Sequence, residues 1–178
     1  MCSSRTRTVG GRVSTIFSRR SVRKYTGERV TDDQVTELLK AAMSAPSAGN
    51  QRPWCFVVVR SQEVLDRIPA IHPYAAMTPH ASVVIAVCGD LTGLKYPDYW
   101  VQDCSAATEN VLPAAHEMGL GAVWLGVYPT EERVEGIRQL LRLPERIVPL
   151  SLIAVGYPVE SLPAADRFDA GRVHYDRW

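Results

Sequence analysis

Four apolar runs rich in β-branched residues most constrain what this 178-residue chain can fold into. Polar or turn-prone residues bound each run, and its length and β-branched content favour a strand over a helix. Continuous apolar runs of this kind are typical of strands buried on both faces of a sheet. They occupy residues 55–60, 81–90, 122–127 and 148–158.

Helical patterns lie before and between the predicted strands. The letters "TDDQ" at residues 31–34 form a capping box, which predicts a helix that ends near Ser44, before Pro46. Another pattern spans about residues 100–118, where Pro113 predicts a kink or a break into two helices, because an interior proline costs about 3 kcal/mol. Further helices are predicted at residues 61–68 and 130–141. The residues alone therefore predict one helix-rich α/β layer fold with four or so strands.

The length fits one domain, which we place at residues 13–178 behind a flexible tail at residues 1–12. The domain is expected to begin with a short helix that turns Ile16 and Phe17 inward. A net charge of only +1 argues against a dedicated nucleic-acid-binding protein. No apolar run approaches the roughly 20 residues that span a bilayer, so no membrane segment is expected.

The cysteines predict neither a metal site nor a disulfide. Cys2, Cys55, Cys88 and Cys104 are far apart and form no CxxC pair, and two of them lie inside apolar runs as small core residues do. This usage fits a reducing compartment, and the cytoplasm is the predicted location. The letters "SRRSVRK" resemble a twin-arginine export signal, but polar residues follow them where such a signal needs an apolar region.

The segment "SRRSVRK" concentrates positive charge. Arg19, Arg20, Arg23 and Lys24 surround Ser21 in a chain that is close to neutral overall. Arginine guanidinium groups match phosphate oxygens in bidentate geometry, and a serine hydroxyl adds a further donor. A local cluster in a near-neutral chain favours a small anionic ligand, and a solvated basic loop is the alternative.

Two further segments suit a flat ligand but also have ordinary structural explanations. Asn50 in "PSAGNQRPW" offers donors and acceptors for the edge of a heterocycle such as a flavin, or simply occupies a turn. The glycines of "GLGAVWLGVYP" at residues 119–129 permit close backbone approach to a ligand, or end a helix and begin a strand. This segment is not the GxGxxG motif of dinucleotide-binding folds, and no Walker, HExxH or GxSxG motif is present.

Together and in this order, four segments resemble the nitroreductase family of flavoenzymes. They are "SRRSVRKYTGERV", "LLKAAMSAPSAGNQRPWCFVVV", "GLGAVWLGVYPTEERVEGIRQLLRLPERIVPLSLIAVGYP" and "DRFDAGRVHYDRW", and the resemblance covers residues 14–178. It implies an α+β fold with a central mixed sheet of four to five strands covered by helices. It further implies an intertwined homodimer with FMN at the interface and NADH or NADPH as electron donor.

The resemblance also assigns residues to the cofactor. Arg19, Arg20 and Ser21 match the segment that holds the FMN phosphate and ribityl chain, and Arg167 matches a C-terminal phosphate arginine, with Arg172 as the weaker candidate. By the same resemblance, Arg23 reaches the pyrimidine edge, where a cation favours the anionic reduced flavin. The residues expected around the ring are Pro46, Ser47, Ala48 and Asn50, with Ser47 reaching the partner subunit's flavin, and the backbone of Trp124, Leu125 and Gly126 near the hydride-accepting nitrogen.

This chain departs from the family at two places near the expected site. Arg52 stands in "NQRPW" where larger members have "NSQPW", and Gly126 stands where some members have a glutamate. Both departures leave the acceptor preference open. The roles of Pro113 and of residues 91–100 are not assigned by the resemblance.

The family mechanism is ping-pong hydride transfer through FMN to a small-molecule acceptor such as a nitroaromatic or a quinone, so no side chain is expected to act as a nucleophile. His72, His80, His116 and His174 are expected to be structural or exposed, although His80 and Tyr74 are candidates for the pocket rim. Further candidates are Tyr96, Tyr99 and Trp100, as a lid over the flavin, with packing of a loop as the alternative. The alternatives are a relative that uses flavin for reductive dehalogenation or flavin cleavage, a flavin-storage protein without turnover, and a basic module for a phosphorylated partner. Without a ribose-reading acid, the sequence does not choose between NADH and NADPH.

Overall fold

A single four-stranded sheet lies at the centre of the protein, as given by a computed structural model that describes residues 14–178. The four predicted strands are confirmed to within two residues at each end. They are β1 (Trp54–Val59), β2 (Val83–Asp90), β3 (Gly121–Gly126) and β4 (Ile147–Gly156), in the spatial order β1-β2-β4-β3. The predicted tail at residues 1–12 lies outside the described residues, and the single-domain assignment stays a prediction.

All three strand pairs of the sheet are antiparallel. The mixed sheet that the family resemblance implies is therefore wrong for the four strands themselves. Within residues 14–178, parallel pairing is confined to an isolated bridge between Ser21 and Ala122. That bridge places the basic segment against β3, which is an edge strand of the sheet.

Five helices accompany the sheet in the described part of the chain. The predicted capping box forms at the second helix, where the Gln34 amide donates to the Thr31 hydroxyl at 3.2 Å and the Thr31 amide donates to the Gln34 side chain at 2.9 Å. The third helix extends three residues beyond its predicted end and includes Pro69. The helices are α1 (Ser14–Ser18), α2 (Asp32–Met43), α3 (Gln62–Ile71), α4 (Trp100–Glu117) and α5 (Glu131–Leu141).

Helix α4 is continuous through Pro113, so of the two predicted outcomes, a kink or a break into two helices, the break is wrong. Proline cannot donate to the carbonyl four residues earlier, which here belongs to Glu109. The neighbouring Val111, Leu112 and Ala115 are all buried against the sheet and α2. Burial of such side chains contributes about 1.5–3 kcal/mol each for the larger ones, which offsets the cost of the proline.

Each face of the sheet has its own hydrophobic core. Val83, Ile85 and Val87 of β2 pack with α2 and α4 on one face, and Val84 and Ala86 pack with α3 and α5 on the other. Because successive side chains of a strand point to opposite faces, a strand covered on both sides is apolar throughout, as the sequence indicated.

Two predictions about apolar side chains have different outcomes. Cys88 and Cys104 are buried free thiols, and Cys55 is half-buried, as expected of core residues. In contrast, Ile16 and Phe17 are 64% and 67% exposed, so the expectation that α1 turns them inward is wrong for the single chain. They line a groove with residues 164–168 of the chain that follows β4, which we call the C-terminal segment (residues 157–178). No helix among residues 14–178 is long and apolar enough to cross a membrane.

Candidate functional site

The outer edge of β3 offers backbone groups to a ligand. The Val22 amide donates to the Ala122 carbonyl at 3.0 Å, on the side of β3 that faces away from β4. Because the N–H and C=O of one residue in an antiparallel strand point to the same side and alternate along the chain, Trp124 and Gly126 also point outward. The Val127 amide, which donates to the Leu150 carbonyl at 3.0 Å, fits the same alternation.

Tyr25 anchors the basic segment to this edge. Its buried hydroxyl donates to the carbonyls of Val22 at 2.8 Å and Ala154 at 3.0 Å. Burial raises the pKa of Tyr25, so the hydroxyl keeps its proton and remains a donor. Gly156 leaves room for the ring, since a Cβ there would lie 2.8 Å from it. The segment that carries the arginines is therefore held in one place beside β3.

A groove of about 320 Å³ opens next to the anchored segment, and we call it the arginine groove. Arg19, Arg20 and His116 line it together with residues 158–162 of the C-terminal segment. The Ser18 hydroxyl and the His116 Nε2 atom are hydrogen-bonded at 2.8 Å, which ties α1 to the C-terminal end of α4. Arg20 donates to the Pro163 carbonyl, so the C-terminal segment closes one wall.

A second groove of about 640 Å³ continues from the first and contains Arg167. Arg19 and Arg20 line both grooves, so the structure brings these three predicted phosphate arginines to one region. Asp166 also lines the second groove, and Glu160 of the first lies 3.3 Å from Lys24. Guanidinium groups gathered around a concave surface match the chemistry of a phosphate group.

Other predicted residues lie outside these grooves. Ser21 and Arg23 are exposed on the anchored segment, and neither lines either groove. Arg172 is paired with Asp169 at 3.1 Å in a short C-terminal turn. Leu125 is buried, and by the alternation of β3 its backbone faces β4 rather than the outer edge. The structure therefore separates the predicted set into residues at the grooves and residues away from them.

The predicted ring-binding loop at residues 46–52 is held by a buried carboxylate that sequence reasoning missed. Asp103 on α4 accepts from the Ala48 amide at 2.9 Å and from the Gln51 side-chain amide at 3.0 Å. Ser47 accepts from the Arg52 amide at 2.9 Å through its hydroxyl, which closes the loop on itself. Asp103 is the one acidic residue on the buried, mostly apolar face of α4. That pattern is the signal by which the sequence could have identified it.

The segment at residues 91–100, where Tyr96, Tyr99 and Trp100 are predicted either to cover the flavin or to pack a loop, packs on this loop through Tyr96. Gln51 bridges to the backbone of Tyr96, donating to its carbonyl at 3.0 Å and accepting from its amide at 3.1 Å. Gly49 has a φ of +54°, and a Cβ there would lie 2.5 Å from the Tyr96 ring. Asn50 has a φ of +56° and is exposed, so its side chain is available to a ligand.

Helix α4 keeps this loop away from the arginine groove. Asp103 holds the loop near the start of the helix, and His116 contacts Ser18 near its end. At about 1.5 Å of rise per residue, these two residues are about 20 Å apart along the helix axis. One chain therefore does not bring Ser47 and Asn50 to the predicted phosphate arginines.

The outward carbonyl of Gly126 receives two side-chain donors. The His72 Nε2 atom lies 2.8 Å from this oxygen, and the Arg133 guanidinium donates to it at 3.0 Å. Tyr74 lies beside them, with its ring 5.6 Å from the Arg133 guanidinium carbon. His80, the other rim candidate, lies elsewhere, in a pocket with Tyr25 and residues 26–27.

Residues 14–178 contain no group of three or more histidine, cysteine, aspartate or glutamate side chains placed to hold a metal ion. The donors gathered along β3 are guanidinium groups, hydroxyls and backbone amides. Such donors suit an anionic or heterocyclic organic ligand.

Comparison with known proteins agrees with this description. The model of the nitroreductase family matches residues 16–72 and 71–157. A protein of Methanothermobacter thermautotrophicus, provisionally named NADH dehydrogenase/NAD(P)H nitroreductase, is 52% identical over 163 residues, covering 92% of this chain and 85% of that one. A similarly named solved structure from Bacteroides thetaiotaomicron has a TM-score of 0.89 at 43% identity, covering 93% and 97% of the two chains. An FMN-dependent nitroreductase from Clostridium difficile gives 0.86 at 28% identity, covering 93% and 99%.

The chain belongs to the nitroreductase family. The predicted family and the predicted α+β fold are thereby confirmed. The names of the relatives also agree with the prediction of an NAD(P)H-dependent oxidoreductase and with FMN as its cofactor.

Proposed function

We propose that this protein is an FMN-dependent oxidoreductase that takes electrons from NADH or NADPH and passes them to nitroaromatic, quinone-like or related acceptors. The observation that carries the proposal is the convergence of Arg19, Arg20 and Arg167 on adjoining grooves beside the outward-facing edge of β3. An anionic group beside the arginines and a flat ring farther along β3 use complementary parts of one surface.

The residues present fit FMN by their donor chemistry. The FMN phosphate is a dianion, and arginine side chains neutralise it through charge-assisted hydrogen bonds. Trp124 and Gly126 offer outward backbone groups about 7 and 13 Å from Ala122 along β3, at about 3.3 Å per residue. Gly126 is exposed, with nothing within 4 Å of the position that a Cβ would occupy, so the protein leaves space beside this backbone.

FMN, when bound, supplies the hydride chemistry, in which the donor leaves before the acceptor enters the same pocket. The residues of this chain bind and orient it: Arg19, Arg20 and Arg167 at the phosphate, and the β3 backbone at the ring. Arg23 adds positive charge that favours an anionic reduced ring. Ser21 adds a hydroxyl at the phosphate end, and Arg172 is the weaker phosphate candidate.

We further propose that two chains complete the site between them. The loop with Pro46, Ser47, Ala48 and Asn50 lies about 20 Å from the arginine groove along α4, so a partner's loop is needed for both sets to reach one ligand. The C-terminal segment supports the same assembly, since Phe168 is 80% exposed and Trp178 is fully exposed in the single chain. Large aromatic side chains in such numbers are typical of a protein interface.

The first experiment is an absorbance spectrum of the purified protein, followed by anaerobic addition of NADH and, separately, NADPH. We expect flavin absorbance that bleaches with at least one nucleotide and returns on addition of a nitroaromatic or quinone. Flavin that no nucleotide bleaches would indicate storage or an unusual donor, and protein that binds no FMN would contradict the proposal.

The arginine groove is tested with matched variants. Arg19→Ala and Arg167→Ala should each weaken FMN binding at least tenfold, because each removes a charge-assisted hydrogen bond of about 1.5–3 kcal/mol. Arg67→Ala removes an exposed arginine of α3 that lines neither groove, and it should leave binding unchanged. Equal affinities for all four proteins would place the phosphate elsewhere.

Sedimentation velocity tests the assembly. We expect a mass of twice that of one chain at micromolar concentration, and loss of FMN when Ser47→Trp blocks the loop. A monomer that still binds FMN tightly would show that one chain suffices. The predicted cytoplasmic location stays a prediction.

A further inference from the structure

We infer that His72 and Arg133 are positioning residues for the flavin ring, which they serve by occupying the outward carbonyl of Gly126. This inference rests on the proposed function, because it concerns how the β3 edge meets the bound ring. It assigns a role to two side chains that neither touch the arginine groove nor belong to the residues expected from the family resemblance.

The Gly126 backbone presents two groups of opposite polarity to the same edge. Its N–H and C=O both face away from β4, as shown by the alternation from the Val22–Ala122 hydrogen bond. A carbonyl facing an electron-rich ring is repulsive, whereas an N–H there is a favourable donor. A β3 edge that favours added electron density on the ring therefore needs its carbonyl occupied and its amide available.

His72 occupies the carbonyl as a neutral donor. Its Nε2 atom lies 2.8 Å from the Gly126 oxygen and must carry the proton, because a carbonyl oxygen accepts only. Its Nδ1 atom accepts from the Tyr74 amide at 3.2 Å and therefore carries none. Both ring nitrogens are thus satisfied in a single tautomer. Burial also lowers the pKa of His72, and the nearby Arg133 charge acts in the same direction.

Arg133 occupies the same oxygen with a charged donor. Its guanidinium donates to Gly126 at 3.0 Å from the first turn of α5 and also lies over the face of Tyr74, 5.6 Å from the ring centre. A guanidinium held on both sides keeps its position with little loss of conformational freedom. It adds a fixed positive charge within a few ångströms of the Gly126 backbone, where negative charge on a reduced ring is stabilised.

The helices that carry these two donors are brought together by a small residue. Gly136 of α5 faces Ile71 of α3, and a Cβ there would lie 2.5 Å from the Ile71 side chain. His72 directly follows α3 and Arg133 is in the first turn of α5, so close approach of the helices brings both to one carbonyl. The arrangement is therefore part of the α3–α5 packing and not a chance surface contact.

The test is the midpoint potential of the bound flavin, measured by equilibration with a reference dye, in the wild-type holoprotein and in Arg133→Met, Arg133→Lys and His72→Gln variants. Arg133→Met should make the potential more negative by about 30 mV, which is a tenfold change in the equilibrium constant of a two-electron couple. Arg133→Lys should recover most of the shift. His72→Gln, whose side-chain amide can still donate, should fall between wild type and Arg133→Met. Arg67→Gln on α3 is the control for loss of an exposed positive charge.

A second readout does not depend on turnover. The ring ¹⁵N signals of His72 in the flavin-free protein should show a neutral Nε2-protonated ring at pH 7, and a proton on Nδ1 would overturn the inference. An unchanged potential in Arg133→Met with intact folding would overturn it as well. Protein that binds no FMN at all would overturn the proposed function and this inference together, whereas bound FMN with an unchanged potential removes this inference alone.

Discussion

The Asp103 carboxylate should not tolerate even replacement by asparagine. Its two oxygens accept from the Ala48 amide and from the Gln51 side chain, and both partners can only donate at those positions. In Asp103→Asn, the new amide group has one oxygen for the Ala48 N–H, and its NH₂ group then faces the NH₂ group of Gln51. Rotation of the Gln51 amide would relieve this clash. It would also place the Gln51 oxygen against the Tyr96 carbonyl and the Gln51 NH₂ group against the Tyr96 amide, so both bonds to the Tyr96 backbone would be lost.

The expected loss follows from these bonds. One charge-assisted hydrogen bond becomes a neutral one, and a second becomes a contact between two donors inside a buried network. At about 1.5–3 kcal/mol for a bond to a charged group and about 1 kcal/mol for a neutral one, Asp103→Asn should lower the free energy of unfolding by about 2–5 kcal/mol. FMN affinity should fall as well, because the loop that Asp103 fixes is the predicted ring contact.

Urea unfolding, with intrinsic fluorescence as the signal, measures the stability change. Asp98→Asn is the matched control, since Asp98 is exposed in the preceding short turn and should change stability by less than about 0.5 kcal/mol. A double-mutant cycle of Asp103→Ala with Gln51→Ala should give a coupling energy of about 1 kcal/mol or more. Asp103→Asn with wild-type stability, or a cycle without coupling, would refute the network as described.

Three further outcomes are expected. Tyr25→Phe should destabilise the protein by about 1–2 kcal/mol in urea unfolding, because the carbonyls of Val22 and Ala154 lose their donor, and no loss would mean that water replaces the hydroxyl. Gly136→Ala should lower the melting temperature although alanine favours helices, because its Cβ would lie 2.5 Å from Ile71, and a higher melting temperature would show that α3 and α5 separate easily. The lowered pKa of His72 means that the unfolded chain binds its proton first, so its contribution to stability is present above about pH 6.5 and is lost as the pH falls below it. The stability difference between wild type and His72→Gln should therefore shrink between pH 7.5 and 5.5, and a constant difference would contradict a neutral buried ring.

The sequence predicted the elements well because their signals are local. The four strands and the capping box at Thr31 follow from runs of neighbouring residues, and each lies within two residues of its expected place. The break expected at Pro113 was wrong because burial of the flanking side chains, a tertiary effect, exceeds the local cost of the proline. The direction and order of the strands could not be predicted from the sequence for the same reason, because they depend on pairing between distant segments.

In the candidate site, too, the sequence identified residues with a local signal and missed those whose partners lie far along the chain. Arg19 and Arg20 stand out because charge concentrated in a neutral chain is visible without a fold. Asp103 and His72 act through hydrogen bonds to backbone groups more than 50 positions away, so nothing beside them in the sequence indicates their partners. For His72 the expectation of a structural role is compatible with the structure, but the identity of its partner, the Gly126 carbonyl, needed the fold.

Helix α4 has a consequence for how two such sites would work together. It is a single continuous helix with the predicted ring-binding loop fixed at one end and the arginine groove at the other. In a dimer built as proposed, each α4 helix would take part in both sites. A ligand that orders one end of the helix would then order the other end as well, so binding at the second site would cost less conformational entropy. The second FMN molecule would then bind more tightly than the first, and a titration would give a sigmoidal curve where independent sites give a hyperbolic one.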